Sequence, residues 1–428
     1  MRAILLHIKV ILLCVFVTTT KPQLGCSGFK ITANGKTMFG DNEDAWRTSS
    51  RIWFETPKPG KYGCIFFGFE DQFAQGGMNE HGLCFDGFSI PPRELKIPQG
   101  KKQVENTLTF FTDLMKTCKT VIEVKTIVDQ YDHTFLDLGM LLFVDKEGNY
   151  LVVEPDTAIL GNDPKYILSN FCPSQVKDLS TVNIKRYQKG VRYLNSKTDT
   201  SFAFCTSVMD TMHVCRKGLG DGTLYTTIFD TNEGIVYLYF YHDFKHVVKF
   251  NLKTEFLKGD RVLSMPSLFP ENKEFEKLLE YKTPLNTKSI FWALVICTGL
   301  FFVTAIYFLF SYVILLFRKK ETGSYKGLRI VLSIVSMIML GCTFYLIRDK
   351  AIVYLGFYPD VPLVSIYKLA SFAPFIIALT FIPLVVINWK IFKKSAWRFF
   401  PLVLFTLNNV VYLIYIVMFA YWGLYKFT

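Results

Sequence analysis

The chain has 428 residues, of which 50% are hydrophobic, 16% aromatic and only 20% charged, with Phe alone contributing 41. That composition excludes a disordered chain, a collagen-like repeat and a small disulfide scaffold. The formal net charge of +12 invites a nucleic-acid partner, but its distribution argues otherwise. From Ser289 onward there are 13 Lys or Arg against three Asp or Glu, whereas residues 1–288 carry 35 against 33. The basic excess belongs to the apolar C-terminal third, where membrane topology asks for it, and no nucleic-acid partner is expected.

In chain order, Arg2 and Lys9 lead into the apolar run 10–17, followed by the polar Thr18, Thr19, Thr20, Lys21 and Pro22. Residues 1–25 therefore read as a signal peptide or short propeptide, with an uncleaved signal anchor as the alternative. Either one exports the next domain. Residues 26–280 are ample for one large core. Runs at 29–33, 36–39, 52–55 and 64–69 are short, apolar or aromatic, and punctuated by Gly, Pro and Asn, as strands are. Residues 106–131 carry helical periodicity in two pieces meeting near Lys119 and Thr120. A hairpin is predicted from 140–144 and 150–154 around Lys146-Glu147-Gly148-Asn149. Helical patterning returns over 181–195 and 202–214, and strands over 223–229 and 235–241. The class is α+β, two packed sheets with helices outside.

A linker at 281–288 leads to a membrane domain, 289–428. Runs 289–317, 328–347, 369–388 and 399–424 are each long and apolar enough to span about 30 Å of hydrocarbon, giving an all-α bundle of four transmembrane helices. Pro374 and Pro383 fall within the third, where neighbouring helices can satisfy the freed backbone groups. The first connection carries Arg318, Lys319, Lys320, Lys326 and Arg329, and the third Lys390, Lys393, Lys394 and Arg398. Positive-inside bias puts both in the cytoplasm. The expectation is an integral protein of the cytoplasmic (or cell) membrane with residues 26–280 on the extracytoplasmic side.

No His-Glu-x-x-His, Gly-x-Ser-x-Gly or Walker motif occurs in the exported segment. His242 and His246 have helical metal-ligand spacing but sit beside a strand-like run. They read as surface histidines, and neither a metal nor a cofactor is expected. Cys64, Cys84, Cys118, Cys172, Cys205 and Cys215 read as core residues or disulfides. With Cys26 the exported count is seven, and an odd number leaves at least one free thiol. Cys26 lies nine residues beyond the apolar run. If cleavage falls before it, one residue carries a thiol and an α-amine, whose pKa of about 7.7–8.0 lets it take the thiol proton. Nucleophile and base then come together without histidine.

Other segments agree with that reading. Cys26-Ser27-Gly28-Phe29, Phe39-Gly40-Asp41-Asn42-Glu43-Asp44-Ala45-Trp46 and Gly77-Met78-Asn79-Glu80-His81-Gly82-Leu83 resemble the choloylglycine hydrolase and penicillin V acylase family. These are linear-amide hydrolases of the N-terminal-nucleophile superfamily. Tyr150-Leu151-Val152-Val153-Glu154-Pro155, Tyr166-Ile167-Leu168-Ser169-Asn170 and Thr223-Leu224-Tyr225-Thr226-Thr227 fit in the same order. The resemblance covers residues 26–255 and none of the membrane helices. It implies a four-layer αββα sandwich with Cys26 as nucleophile and its own amine as base. It further implies Asp44 orienting that amine, and an oxyanion hole from the Asn79 backbone N–H and the Asn170 side-chain amide.

Two departures stand out. Asp41 occupies a position where the family usually has Arg, which places a carboxylate among the substrate-binding candidates and argues against anionic substrates. A second family arginine falls near Arg216, two residues out of register. The leading expectation is a membrane-tethered hydrolase that cleaves a small-molecule N-acyl amide, lipid-like ones included, through a thioester on Cys26. The alternatives are a non-catalytic receptor or scaffold on a membrane bundle, and a lipoprotein with Cys26 acylated.

Overall fold

The computed structural model describes residues 25–45, 47–91, 93–95, 99–216, 221–317, 325–349, 352–357 and 366–425, the side chains of Arg216, Asp221 and Leu355 excepted. The chain divides into two compact units, one over Gln23–Glu280 and the other over Tyr281–Thr428. Of the segment 1–25 expected as a signal peptide or propeptide, residues 1–24 lie outside the described residues, as do the charges Arg318, Lys319 and Lys320.

The first unit contains two large antiparallel sheets. The strands are β1 (Ser27–Ala33), β2 (Lys36–Ala45), β3 (Ser50–Glu55), β4 (Cys64–Phe69), β5 (Ala74–Asn79), β6 (Cys84–Ser89), β7 (Lys102–Gln103), β8 (Tyr131–Asp132), β9 (Gly139–Val144), β10 (Tyr150–Glu154), β11 (Thr157–Gly161), β12 (Lys165–Leu168), β13 (Cys215–Arg216), β14 (Asp221–Asp230), β15 (Ile235–Phe240), β16 (Asp243–Asn251) and β17 (Arg261–Ser264). One sheet runs β12-β1-β2-β14-β15-β16, with β13 on β14; the other runs β11-β10-β9-β6-β5-β4-β3-β17. Strands β7 and β8 form a short separate ribbon.

Helices cover the outer face of each sheet. Against the first lie α3 (Lys185–Ser196) and α4 (Phe202–Met212). Their Tyr187, Leu194, Phe204, Val208 and Met209 pack on Phe29, Ile31, Met38 and Ile228. Against the second lie α1 (Phe110–Met115) and α2 (Val121–Val128), whose Phe111, Leu114, Val121 and Val124 pack on Trp53, Phe66, Phe85 and Phe143. Between the sheets Phe67 meets Phe229 at 6.0 Å and Tyr225 at 6.3 Å, and Phe54 meets Phe250 at 5.5 Å. The order of layers is αββα. Because both faces of each sheet are covered, strands such as Cys64–Phe69 are buried at every position and read as continuous apolar runs.

Strand β2 is the exception that positions the site. Its second half is polar, yet every residue from Thr37 to Ala45 is buried. Alternation turns Phe39, Asp41 and Glu43 toward the other sheet and Asn42 and Asp44 toward the helices. Asn42 donates to the Met209 carbonyl on α4 at 3.0 Å.

Two short helices close this unit, α5 (Leu252–Phe256) and α6 (Lys273–Glu280). The second unit holds α7 (Lys288–Phe317), α8 (Lys326–Arg348), α9 (Ile352–Leu355), α10 (Ile366–Ser371), α11 (Ala373–Lys393) and α12 (Phe399–Tyr421). Helices α7, α8, α11 and α12 are long and apolar enough to cross a membrane. Their surfaces are inverted relative to a water-soluble bundle: Ile296, Phe310 and Val417 are exposed, while Thr304, Ser336 and Asn408 are buried. The buried polar groups bond between helices, Asn408 to Thr304 at 2.8 Å, Ser333 to the Ala305 carbonyl at 2.8 Å and Thr343 with Tyr415 at 2.9 Å, which is how helices associate in lipid. Pro374 sits in the first turn of α11, where its missing N–H costs nothing, so only Pro383 interrupts the helix interior. For the same reason the third span starts at Ala373 rather than at Leu369, where its hydropathy begins.

Candidate active site

Cys26 immediately precedes β1 and is buried. Its Sγ donates to Glu43 Oε2 at 3.0 Å, and its carbonyl accepts from Ser169 Oγ at 3.1 Å. Glu43 reaches the thiol because register sets Ser27 opposite Asn42, which brings the chain ahead of β1 alongside Glu43. On the opposite face of β2, Asp44 accepts from Thr223 Oγ1 at 2.5 Å, its register partner on β14. Asn170 follows β12 and donates its amide to the Ser89 carbonyl at 2.7 Å and to Ser89 Oγ at 3.1 Å. Its Oδ1 accepts from Arg186 on α3.

Three carboxyls, Asp41, Glu43 and Asp86, are buried between the sheets with oxygens within 4.8 Å of one another. Gly76 makes room for Asp86: a Cβ there would stand 2.3 Å from its carboxylate. Three such groups removed from water cannot all ionise. Burial, then the neighbouring acids, pushes Asp41 and Asp86 well above the usual carboxylate range. Burial raises Glu43 from 4.5 to about 7 against the pull of its bond to Cys26. The thiol is pushed up too, by burial first and then by Glu43, Asp41, Asp86 and Asp44. Cys26 thus stands as a thiol bonded to a carboxylate poised near neutrality.

These groups open on a cavity of about 490 Å³. Cys26, Glu43, Asp44, Arg47 and Ser89 are among its polar lining, and Phe69, Phe73, Phe85, Phe88, Leu108, Phe111, Phe135, Leu136, Leu138 and Met140 supply apolar walls.

Not every expected residue takes part as expected. Asn79 does not offer its backbone N–H, which donates to the Leu83 carbonyl at 2.9 Å. Its side chain is equally committed, donating to Met115 and Cys118 carbonyls and accepting from His81 and Leu83 N–H groups. Asn79 is the keystone of the β5–β6 turn and does not line the cavity. Ser89 does line the cavity, and its carbonyl holds the Asn170 amide. Ile90 bonds to Leu138 on the β9 side, so ladder alternation turns the Ser89 N–H the other way. On that side β5, which pairs Gly76 with Asp86, has already ended at Ala74.

Asp41 is not a lining residue either. Burial and the neighbouring acids push its carboxyl well above the usual range, and the acids that line the cavity are Glu43 and Asp44. Arg47 pairs with Asp71 at 2.9 Å, and Arg51 donates to Ser264 at 2.8 Å. For Arg216 the backbone pairs with Asp221, and its side chain lies outside the described residues. Besides Arg47, a second cation near Cys26 and Asp44 is Arg186, buried at 6% exposure. An arginine in an amphipathic helix reads as part of a solvated face, so no linear signal marks it.

His242 is a further correction. It is not a surface residue: its side chain is 5% exposed and lies beside Glu274, while His246 pairs with Asp243 at 2.6 Å. Tyr241 and His242 both have positive φ, 52° and 60°, forming the tight turn between β15 and β16 and tipping the imidazole inward. The seven cysteines of this unit, Cys26 included, form no disulfide among the described residues. All but Cys215 are buried.

Searches of family models and of curated proteins each found no match. Among solved structures, the chain is similar to penicillin V acylase from Agrobacterium tumefaciens at 13% identity and a TM-score of 0.43, covering 53% of this chain and 86% of that one. It is also similar to two variants of conjugated bile acid hydrolase from Clostridium perfringens. Both are 17% identical over 58% of this chain, with TM-scores of 0.45 and 0.44 and 98% and 97% of their lengths covered.

Proposed function

We propose that the chain is a membrane-tethered, extracytoplasmic cysteine hydrolase that cleaves a linear amide C–N bond through a thioester on Cys26. The observation that carries this reading is the Cys26–Glu43 contact in the lining of a largely apolar cavity. Maturation breaks the Gly25–Cys26 peptide bond and frees the α-amine. Before that bond is cut no amine is present, and Glu43 is the group within reach of the thiol proton.

In turnover, the thiol proton passes to the α-amine while Sγ attacks the substrate carbonyl carbon. The carbonyl electrons move to oxygen, which the Ser89 N–H and the Asn170 amide hydrogen now on Ser89 Oγ receive. Two such donors are worth several kcal/mol to the transition state. Collapse re-forms the carbonyl, breaks the C–N bond and hands the ammonium proton to the departing amine. Water then attacks the thioester by the same route, releasing the carboxylic acid and the thiol. Arg186 holds Asn170 from its oxygen side so that the amide N–H groups face the reaction, and Asp44 takes the ammonium. The aromatic walls favour an apolar acyl group. Burial of Cys26 argues against its serving as a lipid anchor.

The test is hydrolysis of N-acyl amides by the purified full-length protein and its Cys26→Ser variant, with the mass of the N-terminal peptide determined for both. A correctly processed serine variant should lose nearly all turnover, since a hydroxyl is a far poorer nucleophile at neutral pH. Substantial residual activity would rule Cys26 out as nucleophile.

A further inference from the structure

Away from the Cys26 site, three potential metal ligands converge from three elements. Cys215 comes from β13, His242 from the β15–β16 turn and Glu274 from the first turn of α6, and their ligand atoms all lie within 4.8 Å of one another. Glu274 Oε2 is 3.6 Å from Cys215 Sγ and 3.6 Å from His242 Nδ1. A zinc ion about 2.0–2.3 Å from each ligand places the ligand atoms about 3.3–3.8 Å apart around a tetrahedron. Both measured separations fall in that interval.

The surroundings hold the three side chains for this purpose. The His242 side chain is buried with Nδ1 facing Glu274 Oε2 at 3.6 Å, and Nε2 has no hydrogen-bond partner among the described residues, although a buried polar ring normally has its nitrogens satisfied. Asn272 caps α6, accepting from the Glu274 and Phe275 N–H groups at 3.0 and 3.2 Å, and donates to the Tyr241 carbonyl at 3.1 Å. One side chain therefore fixes both the helix end that carries Glu274 and the turn that carries His242. Glu274 is 46% exposed, which leaves an entry path and a position for water.

We propose that Cys215, His242 and Glu274 form a zinc site with water as fourth ligand. The thiolate and imidazole select a borderline-soft divalent ion over calcium or magnesium, and a single carboxylate completes a familiar zinc donor set. On binding, Cys215 surrenders to solvent the proton it shares with Glu274, and a sulfur–zinc bond replaces that hydrogen bond. The ion would tie α6 to the sheet at the C-terminal end of the unit.

The experiment uses the full-length protein in detergent, stripped of metal and titrated with Co²⁺ as a spectroscopic stand-in. One equivalent should bind with a thiolate-to-cobalt charge-transfer band, and Zn²⁺ should displace it. Cys215→Ser should abolish the band. Glu274→Gln, at an exposed position that leaves the circular dichroism spectrum unchanged, should weaken binding at least tenfold to a hundredfold, the range seen when only an outer partner of a ligand is lost. Cys26→Ser should bind as wild type does, which separates this site from the hydrolytic one. A wild-type chain with no saturable Co²⁺ binding, or Cys215→Ser and Glu274→Gln chains that bind like wild type, would overturn the assignment.

Discussion

Glu43→Gln tests the electrostatics of the site directly. The substitution keeps the side-chain shape and an oxygen to accept from the Cys26 thiol, and removes the ionisation. Glu43 holds its proton to about pH 7 in the folded chain against 4.5 ordinarily, chiefly because it is buried. Between those values the folded state binds more protons than the unfolded state, so stability falls as pH rises through the window and the loss is complete above about 7. At 1.36 kcal/mol per pH unit that loss is roughly 3 kcal/mol. In a domain of this size it corresponds to about 6–12 °C in melting temperature. The comparison is best made in a Cys26→Ala background, which on the proposed function blocks maturation and keeps the α-amine from adding a cation; it also removes the thiol bond that pulls Glu43 down, so the upper end of the window moves up. Thermal unfolding of the two chains should coincide near pH 4.5 and separate by several degrees at pH 8.5, with the glutamine chain the more stable. Identical pH profiles would refute the placement of a proton on Glu43. With Cys26 intact, maturation should accelerate as pH rises through about 7 in the wild-type chain, and Glu43→Gln should remove that dependence.

Three further outcomes follow from the geometry. A Cβ on residue 25 would stand 2.1 Å from the Asn170 amide, so Gly25→Ala should slow maturation at least about tenfold by mass spectrometry of the N-terminus; unchanged processing would show that Asn170 has no part in it. Arg186→Met removes the group that holds Asn170 and stands beside Asp44. It should lower kcat by about tenfold to a hundredfold with KM little altered, partly rescued by Lys, with a Tm loss reporting the uncompensated Asp44. Asp41→Asn should leave the ranking of anionic, neutral and cationic leaving amines unchanged, because the Asp41 carboxyl is pushed well above the usual range and does not line the cavity. A reordered ranking in that kinetic series would restore a direct charge role for Asp41.

The parts of the fold that read easily from sequence are those in which composition and environment agree. The membrane runs, the helices after Asn106 and the Lys146–Asn149 hairpin all place apolar residues where burial needs them. Strand β2 is different. Its residues Asp41, Asn42, Glu43 and Asp44 are buried but look like a loop, since a strand pattern expects apolar residues on covered faces. The same mismatch hid the site chemistry. Asn79 stands in the most distinctive motif of the chain, yet its groups are spent on a turn, whereas Ser89 and Arg186 carry no motif. Ser89 enters the proposed site through its backbone, and Arg186 reaches Asn170 through the tertiary packing of α3, neither of which a linear pattern records. The linear pattern puts His242 on the surface beside a strand, whereas two left-handed residues in succession turn the ring inward.

The contact between Gly25 and Asn170 also sets an order of events. If Gly25–Cys26 is the bond that is cut, Gly25 stands beside the Asn170 amide proposed to receive the oxyanion and keeps that place until cleavage removes it. Only a sandwich already assembled brings β12, β6 and α3 around that place, so opening it must come after folding. On the proposed function, hydrolysis waits for that single cut, which water makes irreversible.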